Sequence, residues 1–235
     1  MPPPAHANPA FVDGPAGAIF TLRYAAAGAD SARQAALLVP PFAEEMNRAR
    51  RFLAASARAL AAHGCTALLT DLHGTGDSWG AFADADWSIW QAEVALLTQS
   101  LAAETGRPVR LVALRAGALL AAEAGRKLPQ AVSGLTLLQP VADGRRFLDQ
   151  LLRVRVAASM AQGIRESRDG LRAQWQAGET LEVGGYAISS ALADQLSAQR
   201  LSDLPPPAGL PVDWIDVVAP TGDPAAPRPA LPAGW

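Results

Sequence analysis

The chain has 235 residues, half of them hydrophobic, and a formal net charge of -2. That length suits one α/β domain with a modest insertion and a sizeable core, and the near-neutral charge excludes a global pull towards nucleic acid or anionic membranes. The single cysteine, Cys65, excludes an intrachain disulfide, and a reduced, cytoplasmic setting is the simplest reading.

The first ten residues lack a basic start followed by an apolar run, so no signal peptide is expected. Arg115 and Glu123 interrupt the most apolar stretch, so no membrane span is expected either. Residues 1–18 read as a loose Pro-rich tail, although Ile19 to Tyr24 within the next segment has strand character. Ala35 to Val39 is a buried strand stopped by Pro40-Pro41. From Met46 the apolar residues Ala49, Leu53, Ala57 and Leu60 recur at helical spacing, with Gly64 as the stop. Thr66 to Thr70 is the next strand. It runs into the glycine loop Asp71-Leu72-His73-Gly74-Thr75-Gly76-Asp77-Ser78, at the strand end where open α/β sheets usually place ligands.

Asp86 can cap a helix through Trp87, Trp90, Val94, Leu97 and Leu101, whose tryptophans are expected to pack on the sheet. Val109 to Leu114 is a strand that passes without a loop into an Ala-rich helix with Gly117, Ala121 and Gly125 four residues apart, so that helix can sit close on a sheet. After the strand Leu135 to Leu138 the rhythm changes. Residues 143–204 read as a cap insertion with a helix from Phe147, a small hairpin about Gly184-Gly185, and a helix capped by Ser189 or Ser190. Residues 205–219 return to the core with a last strand from Val212 to Val218, and 220–235 form a second Pro-rich tail. The first part of the core is then 19–142. Alternating strands and helices imply a mostly parallel sheet with helices on both faces.

The junction Ala113-Leu114-Arg115-Ala116-Gly117 has the strand-turn-helix form of a nucleophile elbow, normally G-x-S-x-G. Its protruding residue is Arg115, which stays protonated and cannot attack a carbonyl. Two physical uses remain for it: an ion pair with a nearby acid, or a bidentate contact to an anionic ligand. Together with Pro40-Pro41-Phe42-Ala43-Glu44-Glu45-Met46-Asn47, the Asp71 to Ser78 loop and Leu138-Gln139-Pro140-Val141, this junction resembles the second type of exosortase A system-associated hydrolase. That is a bacterial branch of the α/β-hydrolase superfamily found beside exosortase and exopolysaccharide genes. The resemblance covers roughly Leu37 to Val218 and implies an α/β-hydrolase fold and an ester-type hydrolase label.

By the same resemblance, the backbone N–H groups of Phe42 and Ala116 would form the oxyanion hole. The triad acid would be Asp223, with Asp216 as the alternative, and the base a late histidine. The histidines of this chain are His6, His63 and His73, all before the elbow. Weak substitutes are His73 with Asp71 or Asp77, activating a water, or a Glu44/Glu45 carboxylate pair. Against them, Asp71 and Asp77 can simply hold their loop with His73 facing solvent, and Glu44 and Glu45 suit a helix start. The cap arginines Arg145, Arg146, Arg153, Arg155, Arg165, Arg168 and Arg172 read as a solvated face or as a site for acidic polysaccharide or a partner. No Cys/His set has metal-ligand spacing and no G-K-[ST] follows the glycines, so no cofactor is expected. Two functions follow: an unconventional hydrolase, or a non-catalytic protein that holds a small molecule, glycan or partner in the same pocket. Arg115 discriminates them, being structural if paired and a ligand anchor if free.

Overall fold

The computed structural model describes residues 6–27, 34–217 and 231–235. Among these residues seven strands form one sheet in the order β1-β2-β4-β3-β5-β6-β9. They are β1 (Ala7–Gly14), β2 (Gly17–Tyr24), β3 (Gln34–Val39), β4 (Cys65–Thr70), β5 (Val109–Leu114), β6 (Val132–Leu138) and β9 (Val212–Ile215). The first two are antiparallel to their neighbours, and the remaining pairings are parallel. Strict alternation along β5 explains how one strand serves two layers. Val109, Leu111 and Ala113 join the larger core with α2 (Trp87–Thr105) and α3 (Gly117–Lys127), whereas Val112 and Leu114 face the smaller cluster under α1 (Ala43–Ala62).

The cap lies between β6 and β9. It comprises α4 (Gly144–Ala161), α5 (Arg168–Gln176), the hairpin β7 (Leu181–Val183) and β8 (Tyr186–Ile188), and α6 (Ser190–Ser197). Its arginines are partly engaged at home, Arg155 with Glu166 and Arg172 with Asp149. Arg155 and the Ser159 hydroxyl hold Glu166 down to about 2. The cap is tied to the core by Gln195, whose amide donates to Asp86 and whose carbonyl accepts the Trp87 N–H. Asp86 also caps α2 as expected, accepting from the amides of Ser88 and Ile89.

Two expectations need correction. Residues 7–14 are not a loose tail: β1 pairs with β2 along its whole length, from Ala7 opposite Tyr24 to Gly14 opposite Gly17. Pro9 and a row of exposed side chains hid this strand, and both are tolerated because β1 is an edge strand. The helix α5 was also unforeseen, since only Leu171 and Trp175 of its nine residues are buried. At the other end Trp235 packs edge-to-face on Trp214, with ring centroids 5.8 Å apart, and donates to the Leu201 carbonyl. Trp235 therefore lies against the domain, while residues 218–230, including Asp223, lie outside the described residues. Cys65 is buried and its thiol is pushed up to about 11 by desolvation, which fits an inert apolar role.

Candidate functional site

The site forms where β3 runs into α1 and β5 runs into α3. Among the described residues, three that are not glycine have a left-handed φ, and all three belong here: Ala43 (54°), Arg115 (54°) and Gln139 (46°). Each costs about 1 kcal/mol and is held only by its surroundings, a pattern typical of binding and catalytic loops. Gly117 allows the two junctions to meet. A Cβ there would lie 2.7 Å from the carbonyl oxygens of Val39 and Pro40, so no other residue lets α3 approach β3 this closely.

Arg115 is paired. Its Nε donates to Glu45 Oε1 at 3.0 Å and its Nη1 to the Gln139 carbonyl at 3.0 Å, and the guanidinium sits 6.0 Å from the centroid of the Phe147 ring. Gln139 continues the chain of contacts, because its side-chain amide both donates to the Val217 carbonyl and accepts the Val217 N–H. The elbow is thus stitched to α1 on one side and to the exit of β9 on the other. The predicted oxyanion donors lie at the same junction, with Phe42 capping α1 and Ala116 capping α3. Neither amide has a backbone acceptor among the described residues.

Above the junction is a cavity of about 230 Å³, lined by Phe42, Glu44, Glu45 and Arg48 from α1 and by Phe147, Leu151, Val154, Val183 and Ile188 from the cap. Phe42 anchors its inner wall, with Trp90 at 5.2 Å and Phe147 at 5.6 Å between ring centroids. The hairpin is fastened over it by Asn47, which donates to the Tyr186 hydroxyl at 2.6 Å. The PPFAEEMN segment therefore supplies this wall: Phe42 packs, Glu45 pairs with Arg115, Glu44 pairs with Arg48, and Asn47 holds the hairpin.

The alternative constellation does not assemble. Asp71 accepts from Arg50 and from the Asp77 N–H, so its carboxylate fixes the glycine loop. Asp77 is exposed. His73 is buried, not solvent-facing as expected. Its backbone is gripped by α2, its N–H donating to Glu93 and its carbonyl accepting from Trp90 Nε1. Asp216, the other acid candidate, accepts from Trp214 Nε1 two residues away. Among the described residues no group of His, Cys, Asp and Glu is arranged to hold a metal ion.

Sequence reasoning missed Phe147, Asn47, Tyr186, Gln139 and the buried Glu93. Glu93 had a detectable signal, for it interrupts the apolar face of α2 between Trp90 and Val94. Asn47 and Gln139 stood in the motifs quoted for the resemblance, but the roles of these two and of Phe147 and Tyr186 had no local signal, because their partners are distant in sequence.

No protein-family model matches this sequence, and a comparison with curated proteins finds no match. Solved structures do match. A candidate hydrolase from Agrobacterium vitis S4 is 20% identical with a TM-score of 0.64, covering 90% of this chain and 78% of that one. The ferulic acid-bound Est1E of Butyrivibrio proteoclasticus is 14% identical with a TM-score of 0.67, covering 87% and 77%. Mouse alpha/beta hydrolase domain-containing protein 10 is 17% identical with a TM-score of 0.61, covering 89% and 77%. At these identities the likeness establishes the fold: this chain has the α/β-hydrolase fold.

Proposed function

We propose that this chain has kept the α/β-hydrolase fold as a binding module, holding a small, largely apolar molecule in the cavity between α1 and the cap. The observation that carries the reading is the pairing of Arg115 with Glu45. The elbow residue faces an acid of its own chain instead of a substrate carbonyl, and its Nη1 also donates to the Gln139 carbonyl. Within the 235 residues every histidine precedes the elbow, and Asp71 is tied to Arg50; both support a reading without a Ser-His-Asp arrangement. Half of the residues lining the cavity are Phe, Leu, Val and Ile, joined by Glu44, Glu45 and Arg48 from α1 and by Gln150 from α4, a mixture of apolar wall and few polar groups that suits a small-molecule site.

The PPFAEEMN segment supports a place beside the exosortase-associated hydrolases, and the buried, unpaired Cys65 supports a cytoplasmic location. Residual ester hydrolysis is the second reading, favoured by the amides of Phe42 and Ala116, which have no backbone acceptor among the described residues.

The binding reading is tested by thermal unfolding with neutral amphiphiles such as 1-hexanol and benzyl alcohol. A ligand that binds only the folded state raises Tm with concentration. Wild type should show that rise, and Leu151→Trp, which fills the cavity from α4, should not. No rise in wild type overturns the reading.

A further inference from the structure

We infer a second binding site, on the sheet face covered by α1, for a small aromatic molecule with a hydrogen-bond-accepting head of the benzoate class. It is separate from the cavity under the cap and stands on different residues.

Where α1 packs beside β2 and β4 it leaves a cavity of about 150 Å³. Leu38 and Leu53 line it and are buried, while Phe20, Leu22 and Leu69 line it and are half-buried. Ala54 of α1 contributes only a methyl group, so the space beside it stays open. Phe20 is braced by Phe11, edge-to-face with ring centroids 5.6 Å apart. An apolar cavity of this volume accommodates a single six-membered ring and gives ordered water few polar partners.

The polar end is formed by Arg50 and Asp71, which both line the cavity and bond each other, Nη2 to Oδ2, at 3.1 Å. The two partners are not equally open. The Asp71 side chain is 10% exposed, against 44% for Arg50. Asp71 Oδ2 also accepts the Asp77 N–H, and a Cβ on Gly76 would collide with it, so the glycine loop covers this oxygen. An incoming molecule therefore meets the guanidinium first. A guanidinium has five N–H donors, and among the described residues the Asp71 bond is the one side-chain hydrogen bond that Arg50 makes. Donors left over beside an apolar slot call for a ligand that brings an acceptor, and a carboxylate can meet a guanidinium through two parallel bonds. The same row of α1 adds to this bias. Arg58 follows Arg50 and Ala54 at four-residue spacing, is exposed, and has no ion-pair partner among the described residues.

Benzoate and benzylamine, similar in size and opposite in head group, are titrated calorimetrically at pH 7 into wild type, Ala54→Trp and Leu151→Trp. Benzoate should bind wild type at least about tenfold more tightly than benzylamine. Ala54→Trp, which fills this cavity from α1, should abolish benzoate binding, and Leu151→Trp, which fills the cavity under the cap, should leave it within about twofold of wild type. Equal or tighter binding of benzylamine overturns the accepting head. Benzoate binding kept in Ala54→Trp and lost in Leu151→Trp places the molecule under the cap and overturns the second site, as does no binding to wild type. Intermolecular NOEs from benzoate to the methyl groups of Leu38 and Leu69 in wild type decide the location without a variant. They are expected, and their absence overturns the site even where Ala54→Trp does not fold.

Discussion

Two loops at the carboxyl ends of β4 and β5, strands that flank β3, carry most of the polar residues that suggest chemistry, and they differ in what holds them. In the glycine loop after β4, Asp71 accepts from Arg50 and from the Asp77 amide, the Ser78 hydroxyl donates to the Asp71 carbonyl, and α2 clamps the backbone of His73 through Trp90 and Glu93. These bonds make the loop rigid, and the Arg50–Asp71 pair lines a cavity of about 150 Å³ with residues of β2, β4 and α1. The elbow after β5 differs in its backbone. It keeps strained left-handed residues, amides without backbone acceptors and an ion pair beside a cavity. The comparison teaches that His and Asp in a glycine-rich loop can be wholly structural, while a site is better marked by left-handed backbone at residues that are not glycine, which the glycine loop lacks.

The largest effect that sharpens this contrast is expected at Trp90, which is fully buried and donates to the His73 carbonyl. Trp90→Ala should cost about 4 kcal/mol in urea denaturation. Glu93 comes next. Burial lifts its carboxyl to about 7, with the His73 N–H acting in the opposite sense. A carboxyl that holds its proton more tightly when folded stabilises most below its unfolded value, and that contribution is lost as pH rises from about 4.5 to about 7. The loss amounts to about 3 kcal/mol, so Glu93→Gln should flatten the difference between denaturation midpoints at pH 5 and pH 8. Equal pH dependence in wild type and variant would refute this assignment.

The two carboxylates that hold the loops should then separate. Asp71→Ala strips the glycine loop of its organising acceptor and should cost about 2 kcal/mol. Glu45→Gln, in a pair whose side chains are each about 30% exposed, should cost less than about 1 kcal/mol. The smallest effect is expected for Arg115→Gly, where relief of the left-handed backbone offsets the lost ion pair to within about 1 kcal/mol. Similar losses at Asp71 and Glu45 would erase the distinction between a structural loop and a strained site.

Much of the fold was legible in the sequence because it depends on local pattern. Val109 to Leu114 alternates, Gly117 begins a helix rich in small residues, and Asp86 caps Trp87 onwards; the structure keeps all three. What escaped was either masked by edge exposure, as in Ala7–Gly14, or diluted by charge, as in Arg168–Gln176. The candidate site was legible only in its parts. Arg115, Glu45 and Phe42 could be named from the elbow and the PPFAEEMN segment. Which acid Arg115 chooses is set by a contact spanning 70 residues, and the Asn47 to Tyr186 bond spans 139. The first is set by how the β5–α3 elbow meets α1 and the second by how the hairpin meets α1, and no spacing rule reaches them.

The most direct test of the central claim, that the elbow binds and does not hydrolyse, is turnover of short- and medium-chain p-nitrophenyl esters by wild type, Arg115→Ala and His73→Ala, each shown to be folded by circular dichroism. The account predicts no turnover above a matched blank for any of the three. Turnover by wild type that disappears in either folded variant would contradict it and make the residue concerned part of an active site.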